Sequence, residues 1–397
     1  MSKVFLTEEN RCEYIISENM KDVRQVQLDL LEKFTDVCER NNLKFFLSGG
    51  SLIGAIRHQG YIPWDDDIDL IMPRKDFEKL KEIAAYEFKE PYFLQTEESD
   101  PDIFLGGFAR LRNSNTTHIE PWYMDNPAGN LGIWIDICVL DFLYENLHDR
   151  QKQIQKIRYY QRMLYIKTSK NPEKYLEISS PYLRILKFIA LFYSKSKIRE
   201  LLHKSLTCCQ NSKYVTSFTY HTYRYFPCTF EVKDFSTFVP MRFDRLTVPI
   251  PIGYDNILRL QYGDYMILPP VEKQIPHHTG IIDPYIPYKN YLLNYEWFLN
   301  GMAGKIIVVF GAGNMLEYYL DHEGKNYPPE FAVDNDESKW GTSVKGIPVK
   351  QPQSILAIPQ DNLRLLICSI CYREIAKQLR EMGIDNYYIY VQNKDWL

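Results

Sequence analysis

The chain has 397 residues, of which 45% are hydrophobic and 25% charged. That is enough for two domains whose cores need no disulfide or metal staples. This composition excludes wholesale disorder, a collagen-like repeat and a disulfide scaffold. The 47 Lys/Arg and 51 Asp/Glu residues give a net charge of −4, which taken whole predicts no nucleic acid or other polyanion as partner.

Split by position, the charge is strongly asymmetric. Residues 1–149 carry 15 basic against 28 acidic side chains, and residues 150–213 carry 15 against 3. Residues 214–303 and 304–397 are nearly neutral, at −1 and −2. Like charges gathered this way cost free energy unless a metal, ligand or membrane offsets them. Met1 to Gln27 has no apolar h-region, and the longest apolar run, Tyr182 to Tyr193, is interrupted by Arg184 and Lys187. It is shorter than the roughly twenty residues a bilayer span needs, so a cytoplasmic location is expected. The cysteine clusters Cys208-Cys209 and Cys368-x-x-Cys371 lack the second pair or His pair of a zinc site and are expected to be indifferent thiols.

In chain order, apolar spacing predicts a helix from about Lys21 to Arg40 that stops at Asn41-Asn42. Leu43 to Leu47 reads as a buried strand, Ser48-Gly49-Gly50-Ser51 as a tight turn, and Leu52 to His58 as a second helix. Asp65-Asp66-Asp67-Ile68-Asp69-Leu70-Ile71-Met72 is an acidic turn entering a strand that stops at Pro73. A helix from Lys75 to Phe88 follows, then strands near Tyr92 to Gln95, Phe108 to Arg112 and Ile133 to Val139. Residues 150–213 read as basic and helical, and 214–303 as Tyr- and Pro-rich with short irregular elements. After a junction at Gly301 to Gly304 the texture becomes strand (Lys305 to Phe310), glycine turn, helix (Met315 to Asp321) and strand (to Asp334). A strand at Leu365 to Cys368, a helix from Arg373 to Met382 and Tyr387 to Tyr390 complete a doubly wound pattern. The expected domains are 1–300 and 304–397.

Asp65-x-Asp67-x-Asp69 carries the sharpest chemistry. Alternate residues of an extended segment lie about 7 Å apart on one face, so their carboxylates repel unless a cation joins them. The all-oxygen set suits Mg²⁺ or Mn²⁺. Asp136, inside the apolar run Ile133 to Ile137, completes the set if its strand pairs beside the first. Gly49, Gly50 and Ser51, ahead of a helix, offer backbone N–H groups to a phosphate, and Arg57 on that helix could clamp one. Phosphate held between amides and metal-bearing aspartates is what phosphoryl or nucleotidyl transfer requires.

Leu47-Ser48-Gly49-Gly50-Ser51-Leu52-Ile53-Gly54-Ala55-Ile56-Arg57-His58, then Ile62-Pro63-Trp64-Asp65-Asp66-Asp67-Ile68-Asp69, resembles the LicD family of phosphotransferases, relatives of fukutin and fukutin-related protein. So do Tyr262-Gly263-Asp264-Tyr265-Met266, Leu268-Pro269-Pro270 and Pro276-His277-His278. Over residues 20–285 the resemblance implies a nucleotidyltransferase-like α+β domain, a mixed sheet with helical insertions. It implies transfer of a phospho-alcohol from a CDP-activated donor to a glycan hydroxyl. Asp65, Asp67 and Asp69 match the family's metal carboxylates, and Gly50 and Ser51 its phosphate-holding turn. Asp136 and Asp141 match the acids of a motif that usually reads Ile-Asp-Ile-Phe-Pro-Leu-Asp, here with Cys138-Val139 in place of Phe-Pro. The resemblance also brings one of His277 and His278 to the substrate.

The expected donor is CDP-choline, with CDP-ribitol or CDP-glycerol as other CDP-alcohols, and the expected acceptor is a surface glycan or its lipid-linked precursor. Asp136 serves as metal ligand or general base. A nucleotidyltransferase attacking the nucleotide phosphate and a non-catalytic glycan-assembly scaffold are the rival readings. The basic segment could meet donor phosphates, an anionic glycan or a membrane face, the last as a peripheral contact. Phe310-Gly311-Ala312-Gly313, Val333-Asp334-Asn335-Asp336 and Lys345 to Val349 resemble the Rossmann-like domain of sugar-acyltransferases. That makes Gly311, Gly313 and Asp334 candidates for holding a nucleotide or sugar-phosphate, with a ligand-free docking domain as the other reading.

Overall fold

A computed structural model of the chain describes residues 9–12, 14–120, 129–169, 172, 180–218, 228–278, 280–290, 304–369 and 371–390. The chain divides into two compact units, Met1–Tyr285 and Ile286–Leu397. Of the expected Gly301 to Gly304 junction, only Gly304 is among the described residues.

The first unit opens with a hairpin of β1 (Glu9–Arg11) and β2 (Tyr14–Ile16), followed by helix α1 (Glu18–Arg40). α1 starts earlier than its apolar pattern because the Ser17 hydroxyl accepts the Met20 N–H and caps it. Its stripe of Leu30, Leu31, Phe34, Val37 and Cys38 is fully buried. Next come β3 (Phe46–Leu47), helix α2 (Gly49–His58), β4 (Asp69–Pro73), helix α3 (Arg74–Glu87), β5 (Tyr92–Gln95), β6 (Ala109–Asn113), β7 (Thr117–Ile119) and the long β8 (Ile133–Leu143). α2 begins at Gly49, so the expected Gly-Gly-Ser turn is the first turn of the helix, with Ser48 at its cap position.

β8 organises the sheet. β4 runs parallel along one side of it, while β6 and then β9 (Tyr214–Ser217) pair antiparallel along the other. β3 pairs with β4, β5 with β6, and β10 (Phe230–Glu231) with β9. One face of this sheet joins α1 and α3 in a core containing Leu28, Phe34, Leu70, Met72, Phe77, Leu80, Ile135, Ile137 and Val139. The other carries Phe46, Ile71, Leu140, Val215, Phe230 and Phe235. The expected irregular stretch instead holds a hairpin, β11 (Phe238–Phe243) and β12 (Leu246–Pro251), a helix over Tyr254–Tyr262, and β13 (Ile281–Asp283) paired with β7. The basic segment forms helices Leu147–Thr168, Ser180–Leu191 and Lys195–Leu206, which share a core of Ile154, Ile157, Leu164, Leu186, Ala190, Ile198 and Leu202. Among the described residues, no helix is long and apolar enough to cross a membrane.

The second unit is built on β14 (Ile306–Phe310), β15 (Phe331–Val333), β16 (Ser343–Val344), β17 (Ile347–Lys350), β18 (Leu363–Ile367) and β19 (Tyr388–Ile389). These stand in the order 16-17-15-14-18-19, parallel except for the edge strand β16. Helices Asn314–Asp321 and Tyr372–Glu381 make the crossovers after β14 and β18.

Candidate functional site

The acidic segment Asp65 to Asp69 is held in place from beneath by α1. Arg24, buried, donates from Nε and Nη2 to the Asp65 carbonyl (3.2 and 2.6 Å) and from Nη2 to the carbonyls of Ile62 (3.1 Å) and Pro63 (2.8 Å). One turn further on, Gln27 Nε2 donates to the Asp66 carbonyl at 2.7 Å, and Gln27 Oε1 accepts from the Tyr61 hydroxyl at 3.1 Å. Arg24 also lies over the Tyr61 ring, 4.6 Å from its centroid. Buried backbone carbonyls need partners, and the guanidinium fork satisfies three with one group.

α2 fixes the other end. The Ser51 hydroxyl accepts the Asp69 N–H at 2.9 Å, and the Ser48 N–H donates to the Asp69 carbonyl at 2.9 Å. In Gly49, with φ of +52°, a Cβ would stand 2.6 Å from Asp69 Oδ2, and in Gly50 one would stand 2.6 Å from Asp65 Oδ2. Both carboxylates therefore lie directly over the amino end of α2, where free N–H groups and the helix dipole favour negative charge. At Gly50 the obstructing atom is the tip of a movable side chain, so Gly50→Ala is expected to fold normally. It displaces the Asp65 carboxylate and lowers turnover by about tenfold or more; kcat measured beside an unchanged melting temperature checks this.

β8 brings in the next acid. Asp136 stands in register with Asp69 across the parallel β4–β8 pair, and its N–H donates to the Ile68 carbonyl at 2.8 Å. Its Oδ1 accepts from Arg110 Nε at 2.9 Å, and Arg110 Nη1 reaches Glu120 at 2.9 Å while stacking 4.0 Å over Trp134. Burial, followed by the charges of the neighbouring aspartates, pushes the carboxyls of Asp65 and Asp69 well above the usual carboxylate range. Burial likewise pushes Asp67 up, the charges of Asp66 and Asp136 adding to it against His278. Buried acids that push their neighbours up in this way repel one another unless they are protonated or a cation offsets their charge.

Asp66 faces elsewhere. Its oxygens accept from the backbone N–H groups of His277 (3.3 Å) and His278 (3.0 Å) and meet His278 Nδ1 at 3.1 Å, with Asp67 Oδ2 3.8 Å from the same nitrogen. Burial disfavours the imidazolium, but Asp66 and Asp67 outweigh it and raise His278 to about 10. The same bonds hold Asp66 below its ordinary value against the upward push of burial. Among the described residues, Asp66, Asp67 and His278 offer ligand atoms all within 4.8 Å of one another, a group that could hold a metal ion. In the arrangement present, His278 donates rather than accepts, so the trio acts as a strap fastening the Pro276 to His278 segment onto the acidic turn.

The structure thus brings Asp65, Asp67, Asp69, Asp136, Gly49, Gly50 and His278 together. His277 stands at the rim: its side chain is exposed, its N–H donates to Asp66, and its ring lies near enough for its charge to act on Asp67. Ser51 is buried with its oxygen committed to Asp69. Arg57 donates to the carbonyls of Tyr265 (2.7 Å) and Ile267 (3.4 Å), so it fastens the Tyr262 to Leu268 segment to α2. Asp141 lies five residues beyond Asp136 on β8, an odd offset that puts it on the opposite face, where Arg74 binds it with two bonds of 2.8 Å. Arg24, Gln27, Asp66, Arg110 and Tyr262 are absent from the sequence-derived site. Arg24 and Gln27 could have been found as polar residues three apart on the apolar stripe of α1. Tyr262, whose ring is half exposed, has a hydroxyl raised by burial and by the charges of Asp69, Asp65 and Asp67.

In the second unit, Asp334 Oδ2 accepts the Ala312 N–H (2.7 Å) between Gly311 and Gly313 and meets Lys339 Nζ at 3.0 Å, while Oδ1 accepts the Asp336 N–H at 2.9 Å. Asp334 thus faces the Gly311-Ala312-Gly313 turn through the Ala312 N–H, with the acid's oxygens engaged by its own chain.

Residues 42–134 match the family described as LicD/FKTN/FKRP, nucleotidyltransferase domain, and residues 302–390 match the one described as C2185-like, N-terminal. Over 273 residues the chain is 26% identical to the lipopolysaccharide cholinephosphotransferase LicD of Haemophilus influenzae, covering 65% of this chain and 96% of that protein. It is 30% identical over 106 residues to human ribitol 5-phosphate transferase FKRP, covering 25% of this chain and 21% of that one. A stretch of 54 residues is 39% identical to the uncharacterized protein RP689 of Rickettsia prowazekii, covering 14% and 20%. The matched domain spans the glycine start of α2, the acidic turn and the first residues of β8, so the segments that build the acidic cluster are the ones similar to the LicD/FKTN/FKRP nucleotidyltransferase domain.

Proposed function

We propose that the chain is a divalent-cation-dependent phosphotransferase that moves a phospho-alcohol, phosphocholine by default, from a CDP-activated donor to a hydroxyl of a glycan or its lipid-linked precursor, releasing CMP. The observation that carries this reading is the cluster of Asp65, Asp67 and Asp69 over the amino end of α2 with Asp136 in register beside it. The similarity to enzymes named for choline phosphate and ribitol phosphate transfer supports the same class.

Mg²⁺ or Mn²⁺ fits the site, because the donors are carboxylate oxygens whose mutual repulsion a cation relieves. Asp65, Asp67, Asp69 and Asp136 would hold it, and when bound it supplies charge neutralisation at the donor's pyrophosphate and the departing CMP. The amino end of α2 favours the same negative charge. Arg110 fixes Asp136 by Oδ1, which leaves Oδ2 to orient the acceptor hydroxyl or a cation. The Asp66–His278 strap and the Arg57 contacts hold the segment bearing Tyr262 beside the acids, where its phenol can hydrogen-bond a substrate oxygen.

Melting-temperature shifts with CDP-choline, CDP-ribitol, CDP-glycerol and UDP-sugars test the donor class. At saturation a CDP-alcohol is expected to raise the melting temperature by about 4 °C or more, and only with Mg²⁺ or Mn²⁺ present. Turnover should then yield CMP and a phosphorylated glycan. Pyrophosphate with a nucleotidylated product would replace this reading with nucleotidyl transfer.

A further inference from the structure

Helix Ser180–Leu191 turns Leu183, Leu186 and Ala190 into the protein core. Its opposite face leaves Ile185, Phe188, Leu191 and the adjoining Phe192 exposed by 56%, 62%, 73% and 73%. At 3.6 residues per turn these four and Arg184 fall within an arc of about 120°. The Phe188 and Phe192 rings meet edge to face at 5.3 Å, so the apolar surface is continuous along the helix. Soluble surfaces scatter single apolar residues; a contiguous strip of large ones marks something that covers it.

The charge of the segment that carries the strip says what the cover is. The segment 150–213 has 15 Lys/Arg against 3 Asp/Glu, with Arg184 exposed on the helix itself. A second copy of this chain would set two such basic segments against each other. We propose that this face docks on an anionic phospholipid bilayer. The helix lies in the plane of the interface, its four apolar side chains reach the acyl boundary, and the basic side chains rest among the phosphate head groups. Proteins anchored this way combine an apolar strip with a polybasic patch, since neither alone holds them stably. The inference rests on the exposed strip and its charge and stands apart from the chemistry proposed for the acidic cluster.

The test is vesicle flotation of the full chain, with phosphatidylglycerol or phosphatidylcholine vesicles, at low and high salt. The expected result is binding to phosphatidylglycerol vesicles that weakens with salt, and about tenfold or more weaker binding to phosphatidylcholine. The Phe188→Ser, Phe192→Ser double variant changes only exposed side chains, so it should melt like the parent while losing about tenfold or more in vesicle affinity. No binding of the parent to anionic vesicles, or parental affinity in the double variant, would overturn the proposal. So would a parent that is dimeric in solution and becomes monomeric in the double variant, because the strip would then be covered by a second copy.

Discussion

Asp69→Asn is expected to abolish turnover, by about 10³-fold or more, while raising the melting temperature of the metal-free protein near neutral pH. The same holds for Asp67→Asn. Both carboxyls are pushed above the usual carboxylate range by burial, with neighbouring aspartates adding to it. A group whose folded pKa exceeds its unfolded value binds more protons folded than unfolded, so folding stability falls as pH rises through the folded pKa. Ionising these acids in the metal-free protein is thus a cost that asparagine removes. The gain should be largest at neutral pH and vanish below about pH 4, where the unfolded chain is protonated as well. Mg²⁺ should raise the melting temperature of the parent and not that of the variants. Melting curves in chelator and in Mg²⁺ across pH, beside turnover assays, decide the matter. Activity surviving in both variants, or melting below the parent in chelator at neutral pH, would remove these residues from the cation site.

The acidic turn, its glycine-started helix and the register partner Asp136 were legible because each is a local departure from what soluble chains prefer: three alternating like charges, two adjacent glycines, one acid in an apolar strand. The β11–β12 hairpin was not. Its Pro240 and Pro249, facing each other across the pair, and Pro251 remove backbone donors and demote a strand pattern, yet a two-stranded edge tolerates them where no ladder bond is needed. The assignment of Asp141 followed its place in a motif. The period of two along β8 puts it away from Asp136, and Arg74, far off in sequence, neutralises it. Arg57 and Ser51 stand close to the acids along the chain, but Arg57 Nη1 donates to the Tyr265 carbonyl, its Nε to His58, and the Ser51 hydroxyl accepts from the Asp69 N–H, partners that only the folded structure reveals. The three helices of the basic segment follow from their apolar spacing. Which face of helix Ser180–Leu191 meets solvent depends on the neighbours it packs against, and that is set by the tertiary fold.

Arg24→Met is expected to be the most destabilising single change on α1. The thioether fills much of the volume but leaves the carbonyls of Ile62, Pro63 and Asp65 without the guanidinium that now serves them. Each buried polar group left unsatisfied costs about 1–3 kcal/mol, so a loss of about 3 kcal/mol or more follows, or about 6 °C or more in melting temperature. The same change should weaken Mn²⁺ binding, because those carbonyls belong to the turn that aims Asp65 and Asp67. Arg24→Lys should recover little of either. A single ammonium can donate to one or two carbonyls, but it cannot reproduce the planar fork that spans Ile62 to Asp65. Urea melts give the stability, and Mn²⁺ titration well below the melting temperature gives the affinity of folded protein alone. A variant that melts early yet binds Mn²⁺ like the parent would leave Arg24 as support for the fold and detach it from the cation site.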